Sequence, residues 1–223
     1  MIHLVRGLLI VAIVFASGVS NAAPKYLKKA SKNLDKDNPI QMAVYQVLES
    51  YPDFEGVLGA AYTQEQQEAW IDDSLAKPDF LNQGRVAVLQ TLESMAPTLR
   101  HLNIEVEGAS GLYYVQESVQ PIGSTTMRTV QWTFDVPLAE GPSFARQLFS
   151  QIEALLRKDK KWLSAGTEDK AVYPHLGLLS KVYSLKMTGT EQIHINVDYP
   201  HTSEAKEALG LRLSISQFVA KLN

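Results

Sequence analysis

The stretch Thr125–Val136, TTMRTVQWTFDV, decides the fold class. Val130, Trp132, Phe134 and Val136 fall on one side of an extended chain, and Thr129, Gln131, Thr133 and Asp135 fall on the other. Such alternation marks a strand with one buried and one wet face, as in an antiparallel sheet. Pro137 follows and ends the strand, because proline has no N–H to give to a ladder.

Working outward, Leu102–Glu107 and Leu112–Val119 also read as strands, with Gly108, Ser110 and Gly111 turning between them. Downstream, Phe144, Leu148, Ile152, Leu155 and Leu156 recur at helical spacing and predict a helix from about Pro142 to Lys158. Leu178–Met187 and Gln192–Tyr199 then flank Thr188-Gly189-Thr190-Glu191 as a hairpin. Ala208, Leu211, Ile215, Phe218 and Leu222 predict a closing helix over about 203–222. Leu211, Leu213 and Ile215 also alternate, so a strand there is the second reading. Phe134-Asp135-Val136-Pro137 and Val197-Asp198-Tyr199-Pro200 end strands in the same way and suggest a ββα unit used twice within 101–223.

Residues 38–100 repeat at helical spacing instead. Asn38-Pro39 opens one helix, with Asn38 as N-cap, Pro39 in the first turn and Gln41 closing a capping box. Thr63 with Gln66 opens a second. Its acidic residues Glu65, Glu68, Asp72 and Asp73 read as a solvated face. A third helix follows Pro78, with Leu81, Val88, Leu92, Met95 and Leu99 on one stripe. The expectation is an α+β chain. An N-terminal helical segment precedes a largely antiparallel sheet of about five strands, with two helices on one face and a core shared with 38–100.

Residues 1–22 carry the pattern of a signal peptide: Arg6, the apolar run Leu8–Ala16, and the small residues Ser17–Ala22. The apolar run is short of the roughly 20 residues a spanning helix needs, which favours cleavage after Ala22 over a retained anchor. The expected compartment is the periplasm or the exterior. The chain contains 0 Cys, so disulfides, thiolate nucleophiles, Cys-type zinc sites and lipoprotein anchors are excluded.

Residues 23–37 form a basic arm with Lys25, Lys28, Lys29, Lys32 and Lys36, read as a frayed, solvated tail with weak membrane-surface affinity. The rest of the chain is acidic, which argues against a nucleic-acid partner.

No P-loop, G-x-G-x-x-G or G-x-S-x-G occurs, and no cofactor is implied. The segment 158–177 has no clear period and reads as a long connection. It carries Trp162, Tyr173 and His175, the candidate residues for a ligand or partner. His194, Asn196 and Asp198 share one strand face, with His201 just beyond. They lack any known zinc spacing, so no metal site is assigned.

Three functions remain. The first is an exported, non-enzymatic binding or assembly protein of the bacterial envelope. The second is a periplasmic hydrolase or metal-dependent enzyme using His194, Asp198 and His201. The third is a carrier holding a small hydrophobic ligand between helices and sheet, in a cavity lined by Trp132 and Phe134.

Overall fold

A computed structural model of the chain describes residues 25–76, 85–120, 123–137, 139–157, 159–173, 176–187, 189–202 and 210–222. The predicted signal peptide and His175 lie outside the described residues. Five helices are described: α1 (Ala30–Asn33), α2 (Pro39–Glu49), α3 (Gln64–Leu75), α4 (Arg85–Met95) and α5 (Gly141–Leu155). None is long and apolar enough to cross a membrane.

The strands are β1 (Leu58–Ala61), β2 (Arg100–Leu102), β3 (Ala109–Gln120), β4 (Gly123–Phe134), β5 (Trp162–Tyr173), β6 (Leu176–Lys186), β7 (Glu191–Thr202) and β8 (Leu211–Leu222). They form one antiparallel sheet in the order β1-β2-β3-β4-β8-β7-β6-β5. The α5 crossover carries the chain from the middle of the sheet to its far edge. The meander β5–β8 then returns and closes beside β4.

This corrects the expected architecture. The sheet has eight strands, not about five, and residues 38–100 are not a helical segment ahead of it, because β1 lies inside them and pairs with β2. The closing helix is instead β8, which sits between β4 and β7. Residues 211–222, expected in the helix of a second ββα unit, are thus strand, and residues 203–209 lie outside the described residues. The physical reason is that two long strands each had an open edge. Leu211, Leu213 and Ile215, all 0% exposed, fill the apolar face between those strands, whereas a helix would leave both ladders unpaired.

Within the segment expected to be a long connection, 158–177, most described residues are strand. It forms β5 and the start of β6. Its pattern is weak because an edge strand buries little on its outer side. The strand expected over 102–107 stops at Leu102. There the Asn103 backbone N–H donates to Val57 O at 2.9 Å and its Nδ2 donates to Leu58 O at 2.8 Å.

The helix starts read at Asn38 and Thr63 hold, and the one read after Pro78 lies outside the described residues. Asn38 Oδ1 accepts from the Gln41 N–H at 3.0 Å. The Gln41 side chain bonds Asp35 N and Gln151 O, so the box there is not reciprocal. Thr63 and Gln66 form the full reciprocal box.

One apolar core joins the N-terminal arm, α2, α5 and the sheet face that carries Val130, Trp132, Phe134, Leu213 and Ile195. Helices α3 and α4 lie on the opposite sheet face, over β3. The basic arm is not a frayed tail. Leu27 is 0% and Ala30 2% exposed, and Asn33 Nδ2 donates to Leu155 O and Arg157 O at the end of α5.

Candidate functional site

The face of the sheet turned away from the core is built of cross-strand rows, because residues directly opposite in an antiparallel ladder share a face. One row runs Ser110, Thr133, Arg212, Asp198, Ser180. The next runs Leu112, Gln131, Ser214, Asn196. A third runs Tyr114, Thr129, Ser216, His194.

This face is polar yet largely occluded in its middle: Thr129 and Ser216 are 0% and 3% exposed, and their hydroxyls meet at 2.9 Å. That bond satisfies both groups, which burial alone would penalise. Ser180 Oγ donates to Asp198 Oδ1 at 2.5 Å. Asn196 Oδ1 is buried without a hydrogen-bond partner.

Helices α3 and α4 roof the β3 side of this face and enclose a cleft of about 530 Å³. The helices supply its apolar wall through Trp70, Val88, Leu92 and Met95. The sheet supplies the polar floor through Ser110, Tyr114, Gln131, Thr133 and Arg212. Asp73 and Thr91 stand in the helical wall, and Tyr62, stacked on His101 at 4.3 Å, also lines it. Burial raises the Tyr114 phenol above its ordinary value, so it remains a neutral donor. Arg212 stands opposite Asp198 in register and brings a guanidinium to the floor.

A second, more open hollow of about 620 Å³ lies on the core side, under residues 102–109, rimmed by Glu105 and Glu107. Its apolar wall includes Trp132, whose buried Nε1 has no hydrogen-bond partner.

A separate polar cluster braces the other end of the molecule. The Tyr51 hydroxyl donates to Glu191, Gln217 Nε2 donates to Glu191 Oε1 at 2.7 Å, and Arg128 Nη1 donates to Gln217 Oε1 at 3.0 Å. Burial, then the bond to Glu191, raises the Tyr51 phenol; burial, then the Glu191 charge, pushes Tyr26 up to about 12. Both rings therefore stay protonated, as structural donors. Tyr26 donates to Leu48 O at 2.9 Å.

Of the residues singled out by sequence, the described ones are spread along β5 and β7. Trp162 opens β5 and is partly buried against the core. Tyr173 ends the same strand opposite Leu176. His194 and Asp198 stand four residues apart on β7, roughly 13 Å at the strand rise. The His194 ring leans on Phe218 and its Nε2 meets Gln192 Oε1 at 3.0 Å. No group of three metal-ligating side chains occurs among the described residues. Trp132 and Phe134 are 0% and 2% exposed in the core, and the main cleft lies behind them, on the other sheet face.

The cleft residues Trp70, Tyr114, Gln131, Thr133 and Arg212 were not singled out by sequence reasoning. The alternation of Thr125–Val136 did place Gln131 and Thr133 together on the polar face. What roofs that face is a tertiary matter. Comparison with protein-family models, with curated proteins and with solved structures returns no match for this chain.

Proposed function

We propose that the chain is an exported, non-enzymatic binding protein that holds a small amphipathic molecule in the cleft between α3–α4 and the polar sheet face. The observation that carries this reading is the cleft itself. Its volume of about 530 Å³ falls in the range of small-ligand pockets, and its two walls differ in chemistry. Trp70, Val88, Leu92 and Met95 suit an apolar body. Hydroxyls, amides and the Arg212 guanidinium on the floor suit a polar or anionic edge on the same molecule. The polar groups of the lining are hydroxyls, amides, one guanidinium and one carboxylate, which suit hydrogen bonding to a held molecule. Export rests on the N-terminal pattern of Arg6, Leu8–Ala16 and the small residues before Ala23.

The test uses 8-anilinonaphthalene-1-sulfonate, an aromatic dye with one anionic group, titrated into the folded protein. Saturable binding near one equivalent is expected, with a rise in Tm that follows mass action. Thr91→Trp places a large ring into the cleft from an exposed helical position. It is expected to weaken dye binding at least tenfold without lowering Tm. Undiminished binding by a folded Thr91→Trp variant, or no saturable binding to the wild type, would reject the cleft as the site.

A further inference from the structure

The hollow of about 620 Å³ on the core side of the sheet lies between the start of α2 and the chain running from β2 to β3. Its wall is apolar, built of Pro39, Leu102, Ile104, Val106 and Trp132. One buried polar group faces it. Gly111 stands opposite Trp132 in the ladder, and a Cβ there would lie 3.2 Å from the indole Nε1 and 2.8 Å from Leu102 Cδ1. The N–H edge of the indole therefore lies over Gly111, beside Leu102, and all three residues line the hollow. Trp132 is 0% exposed, and its Nε1 has no hydrogen-bond partner among the described residues. A buried indole N–H usually finds an acceptor, because burial without one forfeits the bond it made to water.

The mouth of the hollow has a different chemistry. At the start of the β2–β3 connection Asn103 is tied to Val57 O and Leu58 O, and at its end the Ala109 N–H donates to Val106 O at 3.1 Å. Between these ties Glu105 and Glu107 are exposed at the rim, and no ion pair engages either of them among the described residues. On the opposite wall Pro39 has no N–H to offer an anion, and the Gln41 N–H is already taken by Asn38 Oδ1. The charge at the mouth is that of the two carboxylates, and it favours a cation.

We propose that this hollow is a second small-molecule site, for an amine with an apolar body. The body fills the apolar wall, an acceptor atom on it takes the Trp132 N–H, and the ammonium stays at the mouth with Glu105 and Glu107. A carboxylate ligand would meet like charge at the mouth, and a hydrocarbon would leave the indole N–H unpaired. The cleft beneath α3 and α4 lies on the opposite sheet face, so this site stands apart from what the cleft holds.

The test follows the indole signals of Trp70, Trp132 and Trp162 in the nitrogen–proton correlation spectrum of the folded protein, with Trp70→Phe and Trp162→Phe identifying that of Trp132 by elimination. The probe is para-methoxyphenethylamine. A saturable downfield shift of the Trp132 indole proton is expected, with a Kd of about a millimolar, which suits a ligand of about eleven non-hydrogen atoms. The para-methyl analogue, which lacks the ether oxygen, should bind more weakly and leave that proton near its free position. The anionic analogue para-methoxyphenylpropanoate should bind at least about tenfold more weakly than the amine. Glu105→Gln combined with Glu107→Gln should weaken amine binding several-fold at unchanged Tm. Thr91→Trp, which fills the cleft, should leave amine binding unaltered. Equal binding of the anionic analogue, or full amine affinity in the double Gln variant, would overturn the proposal. So would loss of amine binding in Thr91→Trp, which assigns the amine to the cleft. A Trp132 proton unmoved by the amine assigns that N–H a buried water and overturns it too.

Discussion

Gly141 opens α5 directly against the ring of Tyr199, which is 1% exposed. A Cβ at this position would overlap the Tyr199 ring atoms. Gly141→Ala is therefore expected to cost about 3 kcal/mol in denaturant unfolding, as overpacking of a closed core does. Adding Tyr199→Leu should recover part of that loss, which a helix-propensity effect would not allow. His194 makes a second case. Burial holds its imidazole below the ordinary histidine value. The unfolded chain then takes up the proton at higher pH than the folded chain. Stability is full above roughly pH 6.5 and falls as pH drops through that value toward the lower folded pKa. Thermal melts from about pH 8 to about pH 5 should show a declining Tm, and His194→Gln should flatten that decline. At this scale much was legible. Asn38 and Thr63 cap helices because a side-chain oxygen three residues from an orphan N–H is a local geometry. The pairing of Gly141 with Tyr199 was not, since nothing local joins residues 58 positions apart.

At the scale of elements, β8 carries the largest difference between reading and structure. Its residues satisfy a helical stripe and a strand alternation at once, and periodicity alone does not choose between them. The choice is made by β4 and β7, which present open ladders and an apolar face for Leu211, Leu213 and Ile215. Because β8 is central, ending the chain at Gly210 should separate the β1–β4 part of the sheet from β5–β7. The expected result is loss of cooperative unfolding and of near-ultraviolet circular dichroism. A terminal helix on the sheet surface would leave the ladder intact, so a folded truncated protein would contradict this topology. The edge strand β5 was missed for the complementary reason. With one side unpaired and Glu168, Asp169 and Lys170 in its sequence, it lacks the alternation that burial on a full sheet imposes. Strand β4 was legible because both of its neighbours are strands and only one of its faces meets the core.

For the whole molecule, the sheet separates two environments. The core side gathers the arm, α2 and α5, and the other side carries the roofed polar cleft. Composition, absence of cysteine, the antiparallel character of 125–136 and the helix starts at Asn38 and Thr63 were determined by the sequence alone. Each depends on local covalent chemistry or on a period within a dozen residues. The eight-strand order, the place of β8 and the cleft floor at Arg212 and Gln131 were decided by tertiary structure. So was the joining of Lys29 and Asn33 with Asp159 and Arg157. These depend on which open edges and apolar faces meet after collapse. Ladder hydrogen bonds and buried area are shared between distant segments, and no single segment carries that pairing in its own pattern.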